Sequence, residues 1–128
     1  MTAPAPRPLQ LTPRPLDAGT LRIALGGDLD YDSADHLTDV VTRQLAVHGG
    51  AVRHLRLDCA ELGTCDSMGL AALLMVHRRT TEAGVLLHLD RRPPSLERLL
   101  TITGTLGHLV GGAERAGPSQ EDRVTRDG

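Results

Sequence analysis

The apolar residues of this chain switch period along its length, from two to about 3.6 and back. That alternation restricts the fold more than any other feature. Leu21-Arg22-Ile23-Ala24-Leu25 alternates apolar with small or polar residues and reads as a strand with one buried face. Gly26-Gly27-Asp28 ends it. Ser33 is placed as an N-cap, with Asp35 in the first turn, where the helix dipole favours a carboxylate. Leu37, Val40, Val41 and Leu45 then form one helical stripe, which Gly49-Gly50 stops. Val52 to Leu57 reads as the next strand, with Asp58 at its carboxyl end, and residues 59–65 read as a short loop. A second helix starts near Asp66 or Ser67, with Leu70, Leu73, Leu74 and His77 on its stripe, and ends at Gly84. Val85 to Leu89 gives a third strand. Pro93-Pro94-Ser95 opens a third helix, with Pro just ahead of a Ser cap. Leu96, Leu99 and Leu100 supply its buried face, Gly104 closes it, and Leu106, Leu109 and Val110 are expected to add an edge strand.

Strands alternating with helices imply an α/β fold with parallel pairing and right-handed crossovers. A chain of 128 residues fits one such domain. Residues 1–10, rich in Pro and Ala, and residues 113–128, polar and charged, read as flexible tails around a folded part at 11–112. In open α/β sheets, working surfaces gather at the carboxyl ends of the strands. Two polar clusters fall there: Gly27-Asp28-Leu29-Asp30, and the turn Cys65-Asp66-Ser67-Met68-Gly69. The topology places both on the same side of the sheet.

Composition removes several functions. Tyr31 is the only aromatic residue, so there is no platform for stacking bases. The formal net charge of −2 supplies no basic field for phosphates, which disfavours direct nucleic-acid binding. No long apolar run marks a membrane span, and the first residues lack the apolar core of a signal peptide. The expected compartment is the cytoplasm, with Cys59 and Cys65 reduced and packed as small apolar fillers. Their C-x5-C spacing matches no zinc pattern, and no metal or cofactor is expected.

The Asp66 turn opens a helix, whose free N–H groups suit an anion. Spacing alone makes Asp66 or Ser67 simply an N-cap. A hydrolase using Ser67 finds little support. The context is not G-x-S-x-G, and His77, the next histidine along the chain, lies about 15 Å farther along the helix axis. The six histidines (His36, His48, His54, His77, His88, His108) are scattered without ligand-like pairing. There is no Walker loop and no dinucleotide fingerprint. No residue set argues for catalysis.

Four ordered segments resemble STAS domains, in particular the bacterial anti-sigma factor antagonists. Gly27-Asp28-Leu29-Asp30 followed by Ser33-Ala34 resembles the family's G-x-L-D and first helix start. Leu55-Arg56-Leu57-Asp58 is similar to its central strand. Cys65-Asp66-Ser67-Met68-Gly69-Leu70 resembles its D-S-S/T-G-L segment, and residues 99–106 its closing stretch. The resemblance implies a small mixed or mostly parallel sheet of about four to five strands with helices packed against it. It implies a non-enzymatic role: binding an anti-sigma factor, a GHKL-type serine kinase, to release a sigma factor. It places the partner surface at Asp28, Asp30, Asp66, Ser67, Met68, Gly69 and Leu70. The family's phosphorylated hydroxyl falls at Met68, which has none. Ser67 is the neighbouring hydroxyl, turned about 100° away on a helix. The switch is therefore expected to be absent. The alternative is a STAS accessory subunit of a transport or sensory assembly. Oligomeric state is left open.

Overall fold

The computed structural model describes residues 7–105 and Leu109. Its elements run β1 (Gln10–Pro13), β2 (Thr20–Leu29), α1 (Ala34–His48), a short 3-10 turn (Gly49–Ala51), β3 (His54–Cys65), α2 (Ser67–Glu82), β4 (Leu86–Asp90) and α3 (Pro94–Ile102). The sheet has the order β1-β2-β3-β4. β2, β3 and β4 are parallel neighbours, and β1 joins β2 antiparallel. This is the α/β architecture expected from the alternating periods, with a mixed, mostly parallel sheet.

One face of the sheet carries the core. Leu21, Ile23, Leu25 and Leu29 of β2 are buried with Leu55, Leu57, Cys59 and Leu62 of β3 and Leu87 and Leu89 of β4. The helices add Leu37, Val40 and Val41 from α1, Leu70, Leu73 and Val76 from α2, and Leu96 and Leu100 from α3, in one continuous cluster. α1 and α2 pack side by side. The stripe of α2 runs through Leu70, Leu73, Val76 and Thr80, while Leu74 and His77 sit at its half-buried border.

The expected loop at 59–65 is the second half of β3. Twice along this stretch β3 advances three residues while β2 advances two: Ala24 pairs with Asp58 and Gly26 with Glu61, then Gly27 with Leu62 and Leu29 with Cys65. Each step inserts one extra residue in β3, a bulge that breaks the period-two pattern and increases local twist. The alternation therefore fails although the pairing continues. β2 likewise runs past Gly26-Gly27 to Leu29. At α3 the cap is Pro93 with Pro94 in the first turn, so Ser95 lies inside the helix rather than capping it. Ser33 precedes α1 but makes no capping bond to the helix. Leu109 is buried and its N–H donates to Thr105 O at 3.0 Å, a helical bond that replaces the expected strand there. Leu106 and Val110 lie outside the described residues, as do residues 113–128.

Residues 7–10, read as tail from composition, join the fold. Leu9 is buried in the core cluster, and Gln10 begins β1. The strap crosses Gly27 so closely that a side chain there would collide with the Pro8 carbonyl group, whose carbon would lie 2.9 Å from a Cβ. Gly27 also has φ +85°, which a side chain disfavours. Leu9→Ala is expected to cost about 2 kcal/mol in equilibrium denaturation. An unpacked tail at this position would leave stability unchanged.

Candidate functional site

The carboxyl ends of β2 and β3 meet at the start of α2. Register pairs Leu29 with Cys65, and Asp66 N–H donates to Leu29 O at 3.2 Å. The two polar clusters picked out in the sequence thus form one surface. Its geometry is set by three aspartates.

Asp66 caps α2. Its Oδ1 accepts from Gly69 N–H at 2.8 Å, and its Oδ2 accepts from Tyr31 N–H at 3.3 Å. One carboxylate therefore holds both the first turn of the helix and the loop leaving β2. Asp30 turns the loop: its Oδ1 accepts from Asp32 N–H at 3.0 Å and from the Ser33 hydroxyl at 3.1 Å, and its N–H donates to Ser33 Oγ at 2.9 Å. Asp28 ties the strap to β3, with Oδ2 accepting from Arg7 N–H at 3.0 Å and Oδ1 from Thr64 N–H at 3.1 Å. Those N–H groups, Arg7 first and Thr64 second, hold the Asp28 carboxyl below its ordinary pKa.

Several residues expected to contact a partner lie beneath the surface instead. Leu70 is 7% exposed and belongs to the core. Gly69 is buried against Leu29, where a Cβ would run into the Leu29 carbonyl oxygen and approach its carbonyl carbon and Cγ at 2.9 Å. The oxygens of Asp28 and Asp66 are engaged within the chain, and so is Asp30 Oδ1.

Tyr31, Ser67 and Met68 face outward, beside the exposed Asp32 and Asp66. Tyr31 is 75% exposed and Met68 46%. Ser67 stands exposed at the first position of α2, and the bonds of the turn run past it from Gly69 and Tyr31 to Asp66. A groove of about 330 Å³ continues from Met68 between α1 and α2, lined by Ala71 and Met75 on one side and Asp35 and Asp39 on the other. Sequence reading missed Tyr31 and Met75. The available signal for Tyr31 was that the only aromatic residue stands in a polar loop between a strand and a helix, where no core needs it.

No group of three His, Cys, Asp or Glu among the described residues could hold a metal ion. Burial pushes the Cys59 thiol up to about 12, and burial with the nearby Asp66 charge pushes Cys65 up to about 11, so neither is a thiolate at neutral pH. No described helix is long and apolar enough to cross a membrane. The surface offers apolar and hydroxyl contacts on a fixed frame.

Comparison with known proteins follows the fold. A family model described as "Mlab, STAS domain" matches residues 14–111. An anti-sigma factor antagonist from Mycobacterium paratuberculosis superposes with a TM-score of 0.65 at 21% identity, over 82% of this chain and 86% of that one. The anti-sigma factor antagonist SpoIIAA in its unphosphorylated form gives 0.58 at 19% identity, over 73% and 83%. A sulfate transporter family protein from Wolinella succinogenes gives 0.64 at 20% identity, over 77% of each. At these identities the likeness is one of fold.

Two stability predictions follow from the junction. Gly69→Ala should cost roughly 1–3 kcal/mol by overpacking against Leu29, read as a lower denaturation midpoint. Asp28→Asn should be destabilising at neutral pH, with the difference shrinking in acid. The folded Asp28 pKa is depressed, so its stabilisation is present above the unfolded value near pH 4 and is lost as pH falls through the folded value. Thermal melts of both chains from pH 7 down to about 3 check this; a difference independent of pH would contradict it.

Proposed function

The chain belongs to the STAS-domain family, and on that premise we propose that it is a non-catalytic docking module of the anti-sigma factor antagonist type. Its partner in this reading is an anti-sigma factor, a GHKL-type serine kinase, and binding releases a sigma factor in the cytoplasm. The reading is supported by one observation above the rest. Asp30 and Asp66 fix the loop and the turn through hydrogen bonds within the chain, and on that frame Tyr31, Ser67 and Met68 stand outward.

That pattern suits protein recognition. Tyr and Met are enriched at interface centres, Tyr because it offers a large rigid area with a polar tip, Met because it adapts its shape. Fixing the turn in advance lowers the ordering cost that binding otherwise carries. Catalysis would need a nucleophile beside a base, and the thiols are protonated while Ser67 stands apart from the turn's hydrogen bonds.

Met68 occupies the place where the family resemblance puts the phosphorylated hydroxyl, so the module is read as always competent to bind. A phosphoryl group would bring nearly two negative charges next to Asp66. With Met68 in that place, control must act elsewhere, on synthesis or on the partner. The same substitution favours a second reading, an accessory STAS subunit of a transport or sensory assembly, in which no phosphorylation is needed. A transport ATPase encoded beside this chain would select the second reading; an anti-sigma kinase or sigma factor would select the first.

Met68→Asp should abolish capture of the anti-sigma factor, and Tyr31→Ala should weaken it about tenfold or more, with melting curves unchanged. Titration calorimetry or co-purification reads this, and undiminished binding by Met68→Asp would overturn the placement of the surface. Incubation with the kinase and ATP should leave the mass of the chain unchanged; a stoichiometric gain mapped to Ser67 would show that the acceptor has moved by one residue.

A further inference from the structure

Among the described residues, the helices cover one face of the sheet. Parallel strands usually have both faces covered, yet no described element lies over the outer face of β2, β3 and β4. It is not a bland solvated face, because its charges lie in rows. The register sets Arg22 beside Arg56 and Arg56 beside His88. The next row along the strands sets Ala24 beside Asp58 and Asp58 beside Asp90. Outside these two rows lie His54 on the cationic side and Gly26 with Glu61 on the anionic side. Arg14 and Arg91 join them around a hollow of about 500 Å³ lined by Ala24.

Within one copy the rows are already linked. Arg56 reaches Asp90 at 2.8 Å, and Arg91 pairs with Asp58. His54 Nδ1 lies 2.9 Å from His88 Nε2. These contacts fix the side chains in position. Among the described residues, the ion pairs include neither Arg14 nor Arg22.

Rows of opposite charge lying side by side make a face complementary to itself. A two-fold axis in the plane of the face, running across the strands between the rows, turns the face over and exchanges them. Arg56 of one copy then lies over Asp58 of the other, and His88 over Asp90. Arg22 lies over the small Ala24, with space for its guanidinium beside the second copy's Asp58. His54 is carried towards Glu61. We propose that this open sheet face is the contact between two copies of the chain, an isologous dimer in which each ionic contact occurs twice.

Charge favours a second copy over other occupants. Arg14, Arg22, Arg56 and Arg91 share the face with Asp58, Asp90 and Glu61, four cations interspersed with three carboxylates. A lipid surface or a nucleic acid would meet those carboxylates as well as the guanidiniums. A uniformly acidic protein segment would meet the same repulsion. A second copy in the two-fold arrangement puts each row against its opposite. The contacts are partly exposed ion pairs, each of modest strength, so the dimer is weak and sensitive to salt. The docking turn at Asp66 uses other residues, and the dimer stands or falls without it.

The test is sedimentation of the full chain at low and high salt, with three variants. The wild type should self-associate to a dimer at low salt and dissociate as salt rises. Arg56→Glu and Asp58→Arg should each weaken association about tenfold or more, because each sets like charges face to face twice. Mixed together, those two variants should recover the dimer, since both contacts of the pair regain opposite charges. Arg22→Glu, which breaks no ion pair among the described residues, serves where either of the others fails to fold, and should also weaken association. A wild type that stays monomeric at low salt and high concentration overturns the proposal. So does a dimer that the variants leave intact, or a mixture that stays monomeric.

Discussion

The structure depends on one carboxylate at a crossing point. Asp66 accepts a hydrogen bond from Gly69 at the start of α2 and another from Tyr31 beyond the end of β2. Its own N–H returns a bond to Leu29 O. These bonds join a strand end, a loop and a helix start, three segments that would otherwise move separately. The crossing works only because position 69 has no side chain. Any Cβ there would displace Leu29, and with it the last core residue of β2. A helix cap, worth about 1 kcal/mol where it acts alone, here also sets the position of the loop.

The functional reading rests on what this arrangement leaves over. Aspartates in a surface turn suggest charge for a partner to read. In this chain those of Asp28, Asp30 and Asp66 serve the fold, and the outward side chains are an aromatic ring, a hydroxyl and a thioether. Further acidic residues come from α1, where Asp35 and Asp39 edge the groove beside Met68 and Met75, and from the loop, where Asp32 is exposed. An apolar centre with a charged rim is the usual anatomy of a protein interface. The same division of labour applies to the sheet, whose inner face is aliphatic and whose outer face is ordered by ion pairs between strands.

The periodic parts of the chain were legible in its sequence, and the irregular parts were not. Leu21 to Leu25 and the stripe through Leu37, Val40 and Val41 revealed β2 and α1 because one face of each is buried without interruption. The second half of β3 was hidden because its first bulge moves the buried position from Cys59 to Leu62 and puts Ala60 and Glu61 both outside, and a second bulge follows between Leu62 and Cys65. β1 was hidden because it is short, ends in Pro13 and takes its anchor, Leu9, from a Pro-rich segment. At the site, the turn itself was legible from Asp66 and Gly69. The direction of Leu70 was legible too, since it falls on the apolar stripe of α2, and its assignment to the partner surface ran against that stripe. The position of Tyr31 over the turn was not, because it depends on the bond from its N–H to Asp66 across thirty-five residues.

The central claim is that Tyr31 and Met68 form the surface a partner meets. Other apolar side chains are as exposed: Val47 at 69% and Ile102 at 74%, on α1 and α3. Exposure alone therefore does not distinguish them. Photo-cross-linking in the source cells, with a photoreactive residue placed in turn at Tyr31, Met68, Val47 and Ile102, separates them directly. The account predicts an adduct to one and the same protein from Tyr31 and Met68, and none from Val47 or Ile102. Adducts from Val47 or Ile102 alone, with none from the turn, would contradict it.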